Sequence, residues 1–155
     1  MENLQWTCIQ FQQLNNHQLY ELLKLRVDVF VVEQNCPYPE LDDKDEHPET
    51  RHLCVHHNSK LLAYARLVAP GIRYTEASIG RFVVELSARK QGIGSSLLLK
   101  CLEEIHQTWP EHNIRISAQE YLQEFYEKFG FVKVTDRYLE DDIPHIAMLK
   151  EQKAP

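Results

Sequence analysis

The sequence predicts a three-layer α/β or α+β domain, with a mixed central sheet of about six to seven strands flanked by helices. Three observations predict it. Segments of period-two and period-3.6 hydrophobicity alternate along the chain. One junction between them is a glycine turn, Gln91-Gly92-Ile93-Gly94, set between an apolar strand and an amphipathic helix. Finally, 155 residues with 43% hydrophobic and 26% charged content suit one domain with a sizeable core, expected to span residues 1–155.

In chain order, Leu4 to Phe11 alternates loosely around Trp6, Ile9 and Phe11 and reads as an opening strand. Asn15-Asn16 caps a helix whose stripe of Leu19, Leu22, Leu23, Arg26, Val29 and Phe30 runs to about Glu33. Cys36-Pro37-Tyr38-Pro39 ends that helix, and the acidic stretch Glu40 to Thr50 is expected to be an exposed, solvated loop. Strands at Arg51 to His57 and Lys60 to Val68 are joined by a hairpin at Asn58-Ser59. Beyond the Pro70-Gly71 turn, Ala77 to Val84 forms a third strand that leads into the glycine turn. The next helix, from Ser95, puts Leu97, Leu98, Cys101, Leu102 and Ile105 on one face and stops at Trp109-Pro110. Asn113 to Ala118 is a short strand, and Tyr121 to Phe129 a helix that Gly130 closes with a left-handed cap. Phe131 to Arg137 and His145 to Lys150, separated by an acidic turn from Leu139 to Pro144, complete the sheet.

Composition narrows the function classes. A formal charge of -6 argues against a sequence-independent nucleic-acid binder, whose affinity rests on a basic face, and mildly favours a cationic substrate. No apolar stretch reaches the length of a membrane span. The opening Met1-Glu2-Asn3-Leu4-Gln5 lacks the basic start and apolar segment of a secretory signal, so a cytoplasmic location is expected. Cys8, Cys36, Cys54 and Cys101 show no paired spacing and read as reduced structural thiols.

The segment Arg89-Lys90-Gln91-Gly92-Ile93-Gly94-Ser95-Ser96 reads as a phosphate cradle. Its glycines let successive N–H groups approach one anion at a helix start, and Arg89 and Lys90 add positive charge. No lysine follows Gly94, which excludes a Walker nucleotide site. Leu97 stands where a dinucleotide fold needs a third small residue. A cofactor with a pyrophosphate and a long amide-containing arm, laid beside the strand Arg81 to Glu85, remains, and coenzyme A has that shape. By itself, a Gly-x-Gly turn also serves simply to pack a helix on a strand.

His52, Cys54 and His56 alternate and share one strand face, but three ligands on one extended strand lie too far apart to converge on a zinc ion. The stretch Asp42 to Glu46 lacks the glycine that a calcium loop needs at its sharp turn. No metal is expected.

Arg89-Lys90-Gln91-Gly92-Ile93-Gly94, the preceding Phe82-Val83-Val84 and the later Tyr126-Glu127-Lys128-Phe129-Gly130-Phe131 together resemble the acetyl-CoA motifs of the GNAT N-acetyltransferase superfamily. More narrowly, the chain is similar to the ElaA-like branch. Arg26, the run from Val29 to Tyr38, Ala63-Tyr64-Ala65-Arg66-Leu67, Ile79-Gly80-Arg81 and Ile143-Pro144-His145-Ile146-Ala147-Met148 carry that likeness, which covers nearly the whole chain. Gln119 departs from the pattern, standing where many GNAT relatives carry asparagine, and this leaves its cofactor contact open.

The resemblance implies a GNAT fold and an enzyme that uses acetyl-CoA, in which a primary amine of a small molecule or peptide attacks the thioester directly. It places the cofactor on Phe82, Val83, Val84, Arg89, Lys90, Gln91, Gly92, Ile93, Gly94, Ser95, Gln119 and Tyr126. Backbone near Val84 would meet the thioester carbonyl where the strand bulges, and Tyr126 would protonate the leaving thiolate. A core tyrosine on the Leu122 and Phe129 stripe is the alternative for Tyr126. Glu33, Glu120 and His145 are candidate bases. Arg26, Arg66 and Arg81 either bind a substrate carboxylate or form buried ion pairs. The rival readings are a non-catalytic acyl-CoA-binding sensor and, less favoured, a nicotinamide enzyme. The acceptor amine stays open, and an exposed strand edge makes a homodimer reasonable.

Overall fold

The computed structural model describes residues 3–153, so Met1 and Glu2 of the N-terminal reading and the last two residues of the expected 1–155 domain lie outside the described residues. Two four-stranded antiparallel sheets make up the framework. The first runs in the order β1 (Gln5–Ile9), β2 (Arg51–His57), β3 (Lys60–Val68), β4 (Ser78–Val84). In the second, β8 (Ile143–Lys150) is central, with β5 (Ile114–Gln119) on one edge and the short strands β6 (Val132–Lys133) and β7 (Tyr138–Glu140) on the other. Among the described residues the sheets join at one parallel bridge, Ala77 to Ile114. The predicted fold class stands, with the expected mixed sheet resolved into two antiparallel halves and this one parallel contact.

The first sheet is buried on both faces because two helices sandwich it. Alternate residues of β2 and β3 serve opposite sides: Leu53, Val55, Ala63 and Ala65 join the core under α2 (Ile93–Thr108), while Cys54 and Tyr64 join Leu22 and Leu25 of α1 (Asn16–Arg26). Asn15 caps α1 by accepting from the Gln18 N–H while Gln18 reaches back to Asn15, a reciprocal box that explains the abrupt start. Helical structure continues to Glu33, as the stripe predicts, but Val27–Glu33 is wound as a π-helix, in which Gln34 N–H donates to Val29 C=O and Cys36 N–H to Val31 C=O. Periodicity at 3.6 residues does not register this extra residue per turn.

Three readings change. Tyr121 to Phe129 is a 3-10 turn followed by only the short helix α3 (Gln123–Glu127), with Gly130 at φ +92° closing it as predicted. The expected strand from Phe131 to Arg137 shrinks to Val132–Lys133, because at Thr135 a side-chain hydroxyl instead of a backbone carbonyl accepts the Ala147 N–H. Part of the expected acidic turn is in fact β7, which pairs with β8 across Asp141-Asp142. Both turn residues are left-handed (φ 50° and 62°), as are Asn58 and Ser59 (48° and 67°) in the predicted hairpin.

The largest change concerns the acidic stretch, in which Asp43, Glu46 and Glu49 are exposed as expected but Glu40, Asp42 and Asp45 are drawn inward. Glu40 and Asp45 are 5% exposed, and Arg26 and Arg66 opposite them are 0% and 1% exposed. Arg26 donates to both Asp45 oxygens at 2.7 and 3.1 Å and to Glu40 Oε2 at 3.0 Å. Arg66 forks onto Asp42 at 2.7 and 2.8 Å, and Arg81 pairs with Glu40. Of the two readings for these arginines, the buried ion pair describes them.

Candidate active site

The site follows from how the two sheets meet. Past the Ala77 to Ile114 bridge, β4 and β5 diverge, and residues from Ile79 to Val84 and from Ile116 to Gln119 face each other across a cleft of about 400 Å³. The π-helix contributes Val29, Phe30 and Glu33, and the β7–β8 hairpin contributes Glu140, Asp141, Ile143 and His145. Strand β4 carries a bulge here: Arg81 and Phe82 stand against Ala65 alone, since Tyr64 pairs with Val83 but Arg66 with Gly80. Arg81 takes φ +50°, an uncommon angle for an arginine. Its guanidinium donates to the Glu40 carboxylate and, at 2.8 Å, to the Glu40 carbonyl, tying the bulge to the buried ion network. The bulge lies two to three residues before Val84, the position at which the sequence reading placed it.

At one end of the cleft stands the start of α2. Gly92 caps it at φ +79°, and no side chain caps the helix. The first backbone bond into the turn is Ser96 N–H to Gly92 C=O, so the Ile93, Gly94 and Ser95 N–H groups have no acceptor among the described residues. A Cβ on Gly92 would meet nothing within 4 Å, and one on Gly94 would meet only Val84 and Phe125, at 3.9 and 4.0 Å. Free donors, a helix dipole and open space over the turn fit a phosphate group. Of the neighbouring side chains, Lys90 is exposed, Ile93 is buried in the core and Gln91 binds the Ser87 carbonyl at 3.1 Å. Arg89 is turned elsewhere. It donates to Val84 C=O at 2.9 Å and forks onto Glu33 at 2.7 and 2.9 Å.

Midway along the cleft, Phe82, Phe125, Tyr126 and Phe131 form an aromatic cluster with Tyr126 central, its ring 5.2 Å from Phe125 and 5.8 Å from Phe131. Tyr126 is 6% exposed, so it is a core residue and a cleft residue at once. Its hydroxyl has no hydrogen-bond partner among the described residues, and burial pushes the phenol pKa up, keeping it protonated at neutral pH. Gln119 lines the same wall, with its amide 3.4 Å from Gln34 Oε1.

The three candidate bases differ in surroundings. Hydrogen bonds from Arg89 hold the Glu33 carboxyl below its ordinary range. Arg137 does the same to Glu120, which lies outside the cleft lining. His145 is buried, lines the cleft, and places Nδ1 2.7 Å from the Ile143 carbonyl and Nε2 3.3 Å from Glu140 Oε2. Glu140 is a cleft residue that sequence reasoning missed, because it sat in what read as a solvent turn.

The alternating His52, Cys54 and His56 do share a face, but each is engaged separately. His52 Nε2 donates to Asp45 C=O at 3.0 Å and Nδ1 accepts from Tyr64 Oη at 2.7 Å, with burial holding the imidazole pKa down. His56 pairs with Glu21 at 2.8 Å. Burial pushes the Cys54 thiol up to about 12.

Comparison with known proteins agrees with this geometry. The sequence family described as "Acetyltransferase (GNAT) domain" matches residues 20–152. Protein ElaA of Escherichia coli (strain K12) is 41% identical over 148 residues, 96% of this chain and 97% of that protein. The crystal structure of Escherichia coli ElaA matches with a TM-score of 0.91 at 40% identity, covering 96% of this chain and 100% of that one. A crystal structure of an acyl-CoA N-acyltransferase from Pseudomonas aeruginosa matches with a TM-score of 0.92 at 44% identity, over 96% and 100% of the two chains.

Proposed function

The chain belongs to the GNAT acetyltransferase family, and from that premise we propose that it is a single-domain enzyme transferring an acetyl group from acetyl-CoA to a primary amine by direct attack. The observation that carries this reading is one continuous cleft that runs from the uncapped start of α2 to the free hydroxyl of Tyr126. Acetyl-CoA, when bound, supplies the activated acyl group. The Ile93, Gly94 and Ser95 N–H groups hold its pyrophosphate, with the exposed Lys90 nearby as a cation that has no carboxylate partner among the described residues. Backbone of Phe82, Val83 and Val84, turned toward the cleft by the bulge, aligns the pantetheine arm and the carbonyl.

Tyr126 holds a proton beside the position of the leaving sulfur. Desolvation that raises the phenol pKa raises the basicity of a thiolate formed in the same place, so the proton still has a favourable destination. Among the candidate bases, His145 is favoured, since an arginine already neutralises each of Glu33 and Glu120. Arg89 serves by fixing Val84 and the end of the π-helix more than by neutralising phosphate. No helix among the described residues is long and apolar enough to cross a membrane. Four free thiols support a reducing, cytoplasmic setting, and the edge of β1, which pairs with no further strand among the described residues, supports a homodimer.

Coenzyme A release, followed by thiol titration, tests the reading against spermidine, glucosamine, an aminoglycoside, free lysine and a lysine peptide. Saturable, amine-dependent release is expected with at least one of them. Tight acetyl-CoA binding with no such release would favour the acyl-CoA sensor instead.

A further inference from the structure

At the end of the cleft away from α2, three side chains, Ser117, Arg73 and His145, converge on one carboxylate, that of Glu140. Glu140 Oε1 accepts from Ser117 Oγ at 3.1 Å and from Arg73 Nη2 at 3.2 Å, so its orientation is fixed from two sides. Ser117 is itself 2.6 Å from the Tyr138 hydroxyl. The second oxygen, Oε2, looks across 3.3 Å at His145 Nε2. The Ile143 carbonyl, 2.7 Å from Nδ1, can only accept, and therefore fixes the imidazole proton on Nδ1. In the neutral ring Nε2 is then a bare lone pair. Two acceptors thus confront each other at hydrogen-bond range, an arrangement that is favourable only when a proton or a cation lies between them. His145 is 7% exposed and its ring stacks on Tyr138, so it cannot swing away to water cheaply. Glu140 is more accessible, with its side chain 37% exposed at the mouth of the cleft.

Resting on the acetyltransferase reading, the geometry points to Glu140 and His145 as the acceptor subsite, and to an acceptor that arrives as an alkylammonium ion. The ammonium docks on Glu140 Oε2 by a charge-assisted hydrogen bond and gives one proton to His145 Nε2. One ammonium N–H bond breaks, an Nε2–H bond forms, and the electron pair left on nitrogen becomes the nucleophile. The imidazolium charge is matched by Glu140, and the proton later leaves to solvent. An arylamine, uncharged at neutral pH, gains nothing from Glu140 and is a poor acceptor.

The test uses the full chain and the amine from the panel with the fastest turnover, beside aniline as the uncharged probe. Glu140→Gln keeps an acceptor for Ser117 but removes the charge, and should raise the amine KM by about 10- to 100-fold. Its acetyl-CoA KM should stay within about twofold, since uniform binding of the other substrate is untouched. Selectivity for the alkylamine over aniline should fall by the same factor as the amine KM rises. His145→Asn keeps a donor for the Ile143 carbonyl and should lower kcat by about 10²-fold or more. Independently of turnover, ¹⁵N NMR of the imidazole in the amine-free protein should show His145 as the neutral Nδ1–H tautomer. An Nε2–H tautomer, a cation in the amine-free protein, or unchanged amine kinetics in Glu140→Gln overturns the subsite while leaving acetyl transfer intact. If the parent protein acetylates no amine while binding acetyl-CoA, the acetyltransferase reading itself fails and the subsite falls with it.

Discussion

The ion network under α1 and the cleft between the sheets draw on the same residue types for opposite ends. In the network, Arg26, Arg66 and Arg81 meet Glu40, Asp42 and Asp45, and the terminal guanidinium nitrogens are matched by carboxylates, while Nε of Arg26 and of Arg66 is buried without a partner among the described residues. Burial pushes the Asp42 carboxyl up, yet Arg66 and Arg81 outweigh it and leave the group at about 2. In the cleft, by contrast, groups are left wanting partners: three N–H donors at the start of α2, the Tyr126 hydroxyl, and the Nε2 lone pair of His145. Satisfied charges buried in protein hold a loop in place, whereas unsatisfied ones beside open space await a ligand. Arg81 belongs to both regions, which is how a structural network can set the shape of the bulged strand.

Three perturbations break or sharpen this contrast. The largest effect is expected from Arg26→Ala, which takes from the buried Glu40 and Asp45 the arginine that bridges them, leaving each with one arginine partner, Arg81 and Arg66, and should cost about 3–5 kcal/mol of folding stability. Urea denaturation measures it; a loss below about 1 kcal/mol, the range of a surface pair, would place the network with solvated charges instead. Next is Tyr126→Phe, which removes a buried hydroxyl that has no hydrogen-bond partner among the described residues. Turnover should fall by about 10²- to 10⁴-fold with the thermal midpoint unmoved, and full activity would return Tyr126 to a purely packing role. The smallest, and opposite in sign for the two properties, is Gly94→Ala. The space permits a Cβ, so helix stability should rise by up to about 1 kcal/mol. At the same time calorimetry should show acetyl-CoA affinity reduced by about tenfold, through crowding of a charge-assisted hydrogen bond. Unchanged affinity would mean that this glycine serves packing alone.

Much of the frame was legible in the chain. β2 and β3 have the bounds that alternation predicts, and the Asn58-Ser59 hairpin and Gly130 cap are where turn chemistry puts them. Local pattern suffices there because backbone angle and side-chain direction are properties of neighbouring residues. The glycine turn was equally readable, since φ at Gly92 and the missing cap are local facts. What failed to be legible was mostly long-range. Nothing in the run Glu40 to Glu46 says that its carboxylates fold under a sheet to meet Arg26 and Arg66, 14 to 24 residues away from Glu40, Asp42 and Asp45 in sequence. Glu140 was missed for a local reason: two aspartates in left-handed angles make a tight turn without the glycine that usually signals one.

By itself, then, the sequence determined most of the strands and helices from Gln5 to Gln119, where the phosphate-sized turn stands, and which family's motifs are present. Only the tertiary structure decided what each charged side chain faces. Whether a carboxylate is a base, an anchor or a surface group depends on what lies within about 4 Å of it, because Coulomb energy there changes several-fold between water and protein interior. That surrounding is assembled from β4, β5, the π-helix and the β7–β8 hairpin, which are distant in the chain and meet where the two sheets part.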